Sequence, residues 1–133
     1  MKLAIIGSRC LMINDIQKYI PNRVTEIVTG GAKGVDYCAK KFALFRKIKV
    51  TEFLPDYKRY GRFAPLQRNL KIIDYSDEVL AFWNGKSRGT KFVIENCEKS
   101  GKKLTVIIQN RDDNKNNNAN WSAAIHTFTF LAT

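Results

Sequence analysis

Residues 28–36, Val-Thr-Gly-Gly-Ala-Lys-Gly-Val-Asp, have the composition of an anion-binding turn. An apolar run, Val24 to Val28, ends in paired glycines, and a helical pattern follows from about Lys33 to Arg46. Gly30, Gly31 and Gly34 lack a Cβ, so the backbone there can take positive φ and approach another group closely. The first N–H groups of the following helix, and the positive end of its dipole, point to the same place. A phosphate or carboxylate suits such a spot. Paired glycines also make ordinary strand-to-helix turns, so the segment has two readings by itself.

Two further junctions follow the same logic. Gly7-Ser8-Arg9 closes the first apolar run, where Arg9 offers a forked donor for phosphate. Gly85-Lys86-Ser87-Arg88-Gly89-Thr90 ends another strand and opens another helix, a second cradle of glycines, hydroxyls and helix N-terminus. No glycine stands at position 80, so this is not a P-loop, and the first strand lacks G-x-G-x-x-G. P-loop ATP hydrolysis and standard dinucleotide dehydrogenase chemistry are therefore disfavoured. Arg68-Asn69 sets a fork donor beside an amide, a pairing that suits phosphate plus base or ribose. Asp36 has two readings: it complements the helix dipole, or it binds a ribose or fixes the glycine loop. Tyr57, Tyr60 and Phe63 equally suit stacking on a base or packing of their loop onto the sheet.

These residues need elements to hold them at one edge. Leu3-Ala4-Ile5-Ile6 is a continuous apolar run and suits a buried strand. The pattern then predicts a helix from Asn14 or Asp15 to Ile20, a strand over Val24 to Thr29, and the helix from Lys33 to Arg46. A strand over Ile48 to Leu54 and a polar loop from Asp56 to Phe63 come next, followed by a helix over Ala64 to Tyr75. Glu78 to Trp83 is a strand, Gly89 to Ser100 a helix, and Leu104 to Ile108 a fifth strand. Strict alternation of strand and helix predicts an α/β fold: a Rossmann-like, doubly wound parallel sheet of about five strands with helices on both faces. Right-handed crossovers bring the strand C-terminal ends, and with them all three loops, to one rim.

Composition narrows the function. A chain of 133 residues, 44% hydrophobic, makes one domain with a real core. The net charge of +11 is carried entirely by residues 1–110, in basic segments Lys40–Lys49, Lys58–Lys71 and Lys86–Lys103. Such an excess favours a phosphorylated or polyanionic partner, although a solvated basic face gives the same composition. Three scattered cysteines, Cys10, Cys38 and Cys97, read as small, mostly buried residues of a reduced cytoplasmic protein, with no zinc pattern. No signal-like segment or membrane-length apolar run occurs, so no membrane partner is expected. No metal-ligand cluster, cofactor motif or Ser-His-Asp arrangement appears, and His126 reads as a strand residue. Residues 111–133 differ from the rest. Asp112 to Asn118 is low-complexity linker, and Ile125 to Leu131 alternates like a strand that pairs with a sheet edge or forms a separate extension.

Several motifs stand in an order that resembles the SLOG superfamily: Gly7-Ser8-Arg9, then Thr29-Gly30-Gly31-Ala32-Lys33-Gly34-Val35-Asp36. The stretches Tyr60 to Asn69 and Ala81-Phe82-Trp83-Asn84-Gly85-Lys86-Ser87-Arg88-Gly89-Thr90 are similar to its small stand-alone, YspA-like branch. The likeness covers about Lys2 to Ile108. It implies a nucleotide or a nucleotide-derived, NAD- or ADP-ribose-like ligand at the strand ends, bound by Gly7, Ser8, Arg9, Thr29, Gly30, Gly31, Ala32, Gly34, Asp36, Arg68, Asn69, Trp83, Gly85, Ser87, Gly89 and Thr90. It also implies two alternatives. The glycine loop is similar to that of the DNA-processing protein A family, which suggests single-stranded nucleic acid. The related Lonely Guy phosphoribohydrolases, which activate cytokinins, suggest N-glycosidic cleavage. Those enzymes carry a glutamate three residues after the threonine of Pro-Gly-Gly-x-Gly-Thr; here that position is Val93, and Glu95 falls elsewhere on the helix. Catalytic residues are therefore left unassigned, and a homo-oligomer is a possibility the resemblance allows.

Overall fold

Leu3 to Ile6 are apolar on both sides of the chain, the pattern of a strand covered on both faces. They lie in β1 (Lys2–Gly7), at the centre of the sheet in the computed structural model, which describes residues 1–110 and, as backbone, 122–128. The chain continues through β2 (Glu26–Thr29), α1 (Val35–Phe45), β3 (Lys49–Glu52), the short α2 (Tyr57–Tyr60), α3 (Ala64–Tyr75), β4 (Glu78–Trp83), α4 (Arg88–Ser100), β5 (Lys103–Asn110) and β6 (Ser122–Phe128). The sheet order is β3-β2-β1-β4-β5-β6. The first five strands are parallel and β6 runs antiparallel to β5. The α/β Rossmann-like architecture is thus present. The alternating C-terminal segment supplies an edge strand over Ser122–Phe128, while the Asp112–Asn118 run lies outside the described residues.

The period of two along β1 sorts its side chains. Leu3 and Ile5 pack with Ile27, Leu80 and Phe82 against Val35, Ala39 and Ala43 of α1. Ala4 and Ile6 face the other way, with Val28 and Ala81, against Ile72 and Ile73 of α3 and Val93 and Cys97 of α4. Helices therefore cover both faces. Successive strands move outward from β1 in opposite directions, through β2 to β3 and through β4 to β5. That reversal opens a crevice between the C-terminal ends of β1 and β4, where open α/β sheets take their ligands.

Two local expectations are corrected. The Asn14–Ile20 stretch forms only a 3-10 turn, Ile16–Tyr19; Asp15 makes no side-chain cap, and Pro21 follows too soon for a nucleated α-helix to propagate. The Asp56–Phe63 stretch is not an open loop. Asp56 accepts a hydrogen bond from the Arg59 N–H at 3.1 Å, capping α2, and Gly61 at φ 56° leads into a second 3-10 turn, Gly61–Phe63.

At the opposite edge of the sheet, Glu26 is buried at the start of β2. Its carboxylate accepts hydrogen bonds from the Tyr75 hydroxyl and, at 2.9 Å, from Thr51 Oγ1, with Lys49 Nζ at 3.4 Å. The Tyr75 bond, with help from Thr51 and Lys49, holds this carboxyl below its ordinary value of 4.5 against the opposing effect of burial. A carboxyl depressed in the fold stabilises it above the unfolded-state pKa, and that contribution disappears as pH falls through the folded value. Glu26→Gln should cost about 1–3 kcal/mol at neutral pH. It should also shrink the loss of stability on acidification below pH 4.5. Chemical denaturation across pH checks this, and identical acid limbs in the two proteins would contradict it.

Candidate functional site

The crevice is a cleft of 420 Å³ at the strand ends. Its walls come from four places: the turn after β1 (Gly7, Ser8, Arg9, Cys10), the glycine loop after β2 (Gly30, Ala32, Asp36), α3 (Pro65, Leu66, Arg68, Asn69, Ile72) and the start of α4 (Asn84, Ser87, Gly89, Thr90). Three loops that lie far apart in sequence do share one rim.

The glycine loop is organised by Asp36. Its Oδ2 accepts hydrogen bonds from Gly30 N at 3.2 Å and Ala32 N at 3.1 Å. Of its two sequence readings, fixing the loop is the one the geometry displays. The consequence is a change of role for the loop. The N–H groups of Gly30 and Ala32 point at Asp36 rather than into the cleft, and the N-terminus of α1 carries its own carboxylate in its first turn. Two amides of the ligand cradle expected at residues 30–34 are taken from within the chain. Burial pushes the Asp36 carboxyl above its ordinary value, against the bonds from Ala32 and Gly30 and the charge of Arg68. The residue is 6% exposed and its Oδ1 has no hydrogen-bond partner.

Arg68 reaches the same loop from α3. Its Nη1 donates to the Gly30 carbonyl at 2.6 Å and its Nε to Asn69 Oδ1 at 2.8 Å. The side chain is only 9% exposed, and burial lowers its pKa while the nearby Asp36 charge raises it. Nη2 makes no hydrogen bond in the described residues, so a buried guanidinium retains donors at the cleft wall.

The α4 end differs from the α1 end. Ser87 caps α4, its Oγ accepting from Thr90 N, and Asn84 Oδ1 accepts from the N–H groups of Lys86 and Ser87 at 2.9 and 2.8 Å. The amides of Arg88 and Gly89 have no such partner. A Cβ built on Gly89 would meet nothing within 4 Å, so open space lies over this helix end. Here the positive end of the dipole faces the cleft unanswered.

Other expected residues are placed as follows. Ser8 is buried; its backbone N–H donates to Phe82 O, and its Oγ accepts from Asn84 N at 3.3 Å, tying the end of β1 to that of β4. Arg9 is exposed at the mouth. Thr29 is fully buried beneath the loop with Oγ1 unpartnered, and it does not line the cleft. Gly31 is exposed and turned towards Leu54 and Glu52, and Gly34 packs under the Arg9 and Leu11 carbonyls. Trp83 donates from Nε1 to Ser87 O at 3.0 Å and braces the α4 cap, while Gly85 forms an exposed turn. Gly31, Gly34, Trp83 and Gly85 are therefore outside the cleft lining.

Sequence reasoning passed over Asn84 and Cys10. Asn84 donates from its backbone N–H to Ser8 Oγ and from Nδ2 to Cys10 Sγ at 3.3 Å, and its Oδ1 accepts from the Lys86 and Ser87 amides; the Asn-Gly dipeptide was the available signal for such a side-chain-stabilised turn. Cys10 is the exposed thiol; Cys38 and Cys97 are buried, and burial pushes the Cys97 thiol up to about 12. Glu95 is exposed on α4 and pairs with Lys91 at 3.8 Å, away from the cleft. Tyr57 and Phe63 are exposed, with Arg62 over the Phe63 ring at 5.0 Å. Among the described residues no group of three or more His, Cys, Asp or Glu side chains is placed to hold a metal, and no helix is long and apolar enough to cross a membrane. Compared with known proteins, the chain matches no protein-family model, and no curated protein is significantly similar.

Two glycines of the loop should respond differently to a methyl group. Gly34, at φ 73°, would place a Cβ 2.5 Å from the Arg9 carbonyl oxygen, backbone against backbone. Gly30 would place one 2.5 Å from Arg68 Nη1, the end of a flexible side chain. Gly34→Ala should therefore lose at least about 1–3 kcal/mol of stability, and Gly30→Ala less, because it strains no backbone and its cost is confined to displacing Arg68 from the Gly30 carbonyl. Equal losses in denaturant melts of the two variants would contradict this placement.

Proposed function

We propose that this domain binds or senses a phosphorylated, nucleotide-derived ligand of the NAD or ADP-ribose type in the cleft between the ends of β1 and β4. One observation carries the reading: the guanidinium of Arg68, a residue 9% exposed, has spare donors and, with an unanswered helix N-terminus, opens onto the same 420 Å³ space. Keeping a cation largely out of water is costly, the nearby Asp36 charge offsets part of that cost, and an anion in the cleft would offset more. The volume falls in the range of small-molecule sites. Phosphate oxygens would take the Arg88 and Gly89 amides, the Thr90 hydroxyl and Arg68, with Arg9 closing from the mouth. Leu66, Ile72 and Ile6 give an apolar wall for a base or sugar face. The resemblance to the YspA-like branch of the SLOG superfamily points to the same ligand class.

A second reading rests on Asp36. It is the one carboxylate lining the cleft among the described residues, and a carboxylate at that wall suits activation of a water or stabilisation of the cation developing on the sugar in N-glycosidic cleavage. Release of free base from a nucleotide, lost in Asp36→Asn while ligand still binds, would favour this hydrolase over a sensor.

The test is a thermal-shift panel of nucleotides, NAD, ADP-ribose and cyclic derivatives beside a short single-stranded oligonucleotide. A ligand at 100 times its Kd stabilises by about 2.7 kcal/mol and moves the midpoint by several degrees. Gly89→Asp sharpens the result. An aspartate in the first turn of α4 should leave stability unchanged or raise it by about 0.3–1 kcal/mol, yet remove the ligand shift by occupying the anion site. A full shift in that variant would move the site elsewhere. A shift with the oligonucleotide alone, erased by salt, would make nucleic acid the partner.

A further inference from the structure

The outward face of α1 is apolar and aromatic where a surface helix is ordinarily polar. Phe45 is 84% exposed, Leu44 64%, Tyr37 55%, and Met12 beside them 51%. Tyr37, Lys41 and Phe45 follow one another at helical spacing along a single stripe. Between this stripe and the segment after β1 runs a second groove, of 350 Å³, with Ile13 and Phe42 in its lining and Met12, Tyr37, Lys41 and Phe45 around them. It lies on α1, apart from the nucleotide cleft, and none of its lining residues is shared with that cleft.

The α1 side of the groove carries charge of one sign, while Asp15, between the lining residues Asn14 and Ile16, is paired with Lys18 at 2.7 Å. Residues 37–51 contain Lys40, Lys41, Arg46, Lys47 and Lys49 and no aspartate or glutamate. Lys40 pairs with Glu52 at 3.0 Å and Lys49 with Glu26, but Lys41, Arg46 and Lys47 form no ion pair among the described residues. We propose that this groove docks an acidic amphipathic protein segment, which inserts aromatic or aliphatic anchors beside Phe42 and sets its carboxylates against Lys41 in the lining and Arg46, which lies over the Phe42 ring at 5.7 Å. Charge complementarity selects this occupant. A second copy in two-fold contact would bring like cations together, a flat lipid surface does not fill a concave groove, and a single-stranded oligonucleotide that stacked on the same rings in place of the peptide would overturn the proposal. Anchors at helical spacing in an apolar groove are a recurring recognition mode.

The probe is a synthetic glutamate-rich helical peptide with leucine and phenylalanine anchors on one face, titrated into the 133-residue chain. Saturable binding should perturb the Tyr37, Phe42 and Phe45 ring resonances and weaken with added salt. Phe45→Ser and Lys41→Glu, both at exposed positions, should each weaken it about tenfold or more. Nucleotide-induced thermal shifts should be unaltered in both variants, which separates failure here from failure of the cleft. Absence of saturable binding would overturn the proposal, as would equal binding of a peptide with alanine anchors. So would Phe45-dependent self-association in sedimentation, or Phe45-dependent binding to phosphatidylserine vesicles with none to the peptide.

Discussion

The site depends on the bond between Arg68 Nη1 and the Gly30 carbonyl, which joins groups 38 residues apart in the chain. Asp36 holds the other side of that peptide segment through the Gly30 and Ala32 amides. The glycine loop is thus gripped at its carbonyl by a cation from α3 and at its N–H groups by an anion from α1. Neither grip is a direct contact between the two charges. Each is a charge-assisted hydrogen bond to backbone, stronger than a neutral one and directional enough to fix the loop. Removing either partner would leave the other buried with less compensation, so the arrangement stands or falls as a unit.

This interlock decides how the cleft is divided. On the α1 side, the preference of a helix N-terminus for negative charge is satisfied within the chain by Asp36. On the α4 side the cap is made by the neutral Ser87 and the preference is left open. An anion entering the cleft would therefore meet one open helix end and the Arg68 guanidinium. The turn at Asn84 keeps that helix end in place: its side chain holds the Lys86 and Ser87 amides, and its own amide is tied to Ser8 across the ends of β1 and β4. The cleft is consequently built on strand ends and a helix cap that brace one another.

Much of the fold could be read from residue patterns. α3 spans Ala64–Tyr75 and β4 spans Glu78–Trp83, as expected, because Pro65 marks the first turn of the helix and the apolar run of β4 suits a strand buried on both faces. The short elements were harder. A 3-10 turn at Ile16–Tyr19 and the four residues of α2 depend on individual capping bonds, and periodicity needs more length than that to appear. In the site, residue types were informative and directions were not. Gly30, Asp36 and Arg68 were all marked by their chemistry, but nothing local says that Asp36 takes the loop amides or that Arg68 reaches the loop carbonyl. Those choices follow from how α1 and α3 pack on opposite faces of β1 and β2. The same limit applies to α1, whose exposed Phe45 and Leu44 become distinguishable from core residues only once the sheet is in place.

The central claim is that the open end of α4 and Arg68 together receive an anion. The most direct measurement is a titration of isotopically labelled protein with ADP-ribose, following the Arg88 and Gly89 amides and the Arg68 guanidinium by NMR. Saturable shifts at those three positions, with the Gly30 and Ala32 amides retaining their bonds to Asp36, are the predicted result. Saturable binding that leaves Arg88, Gly89 and Arg68 unmoved, or that displaces Asp36 from the loop amides, would contradict it.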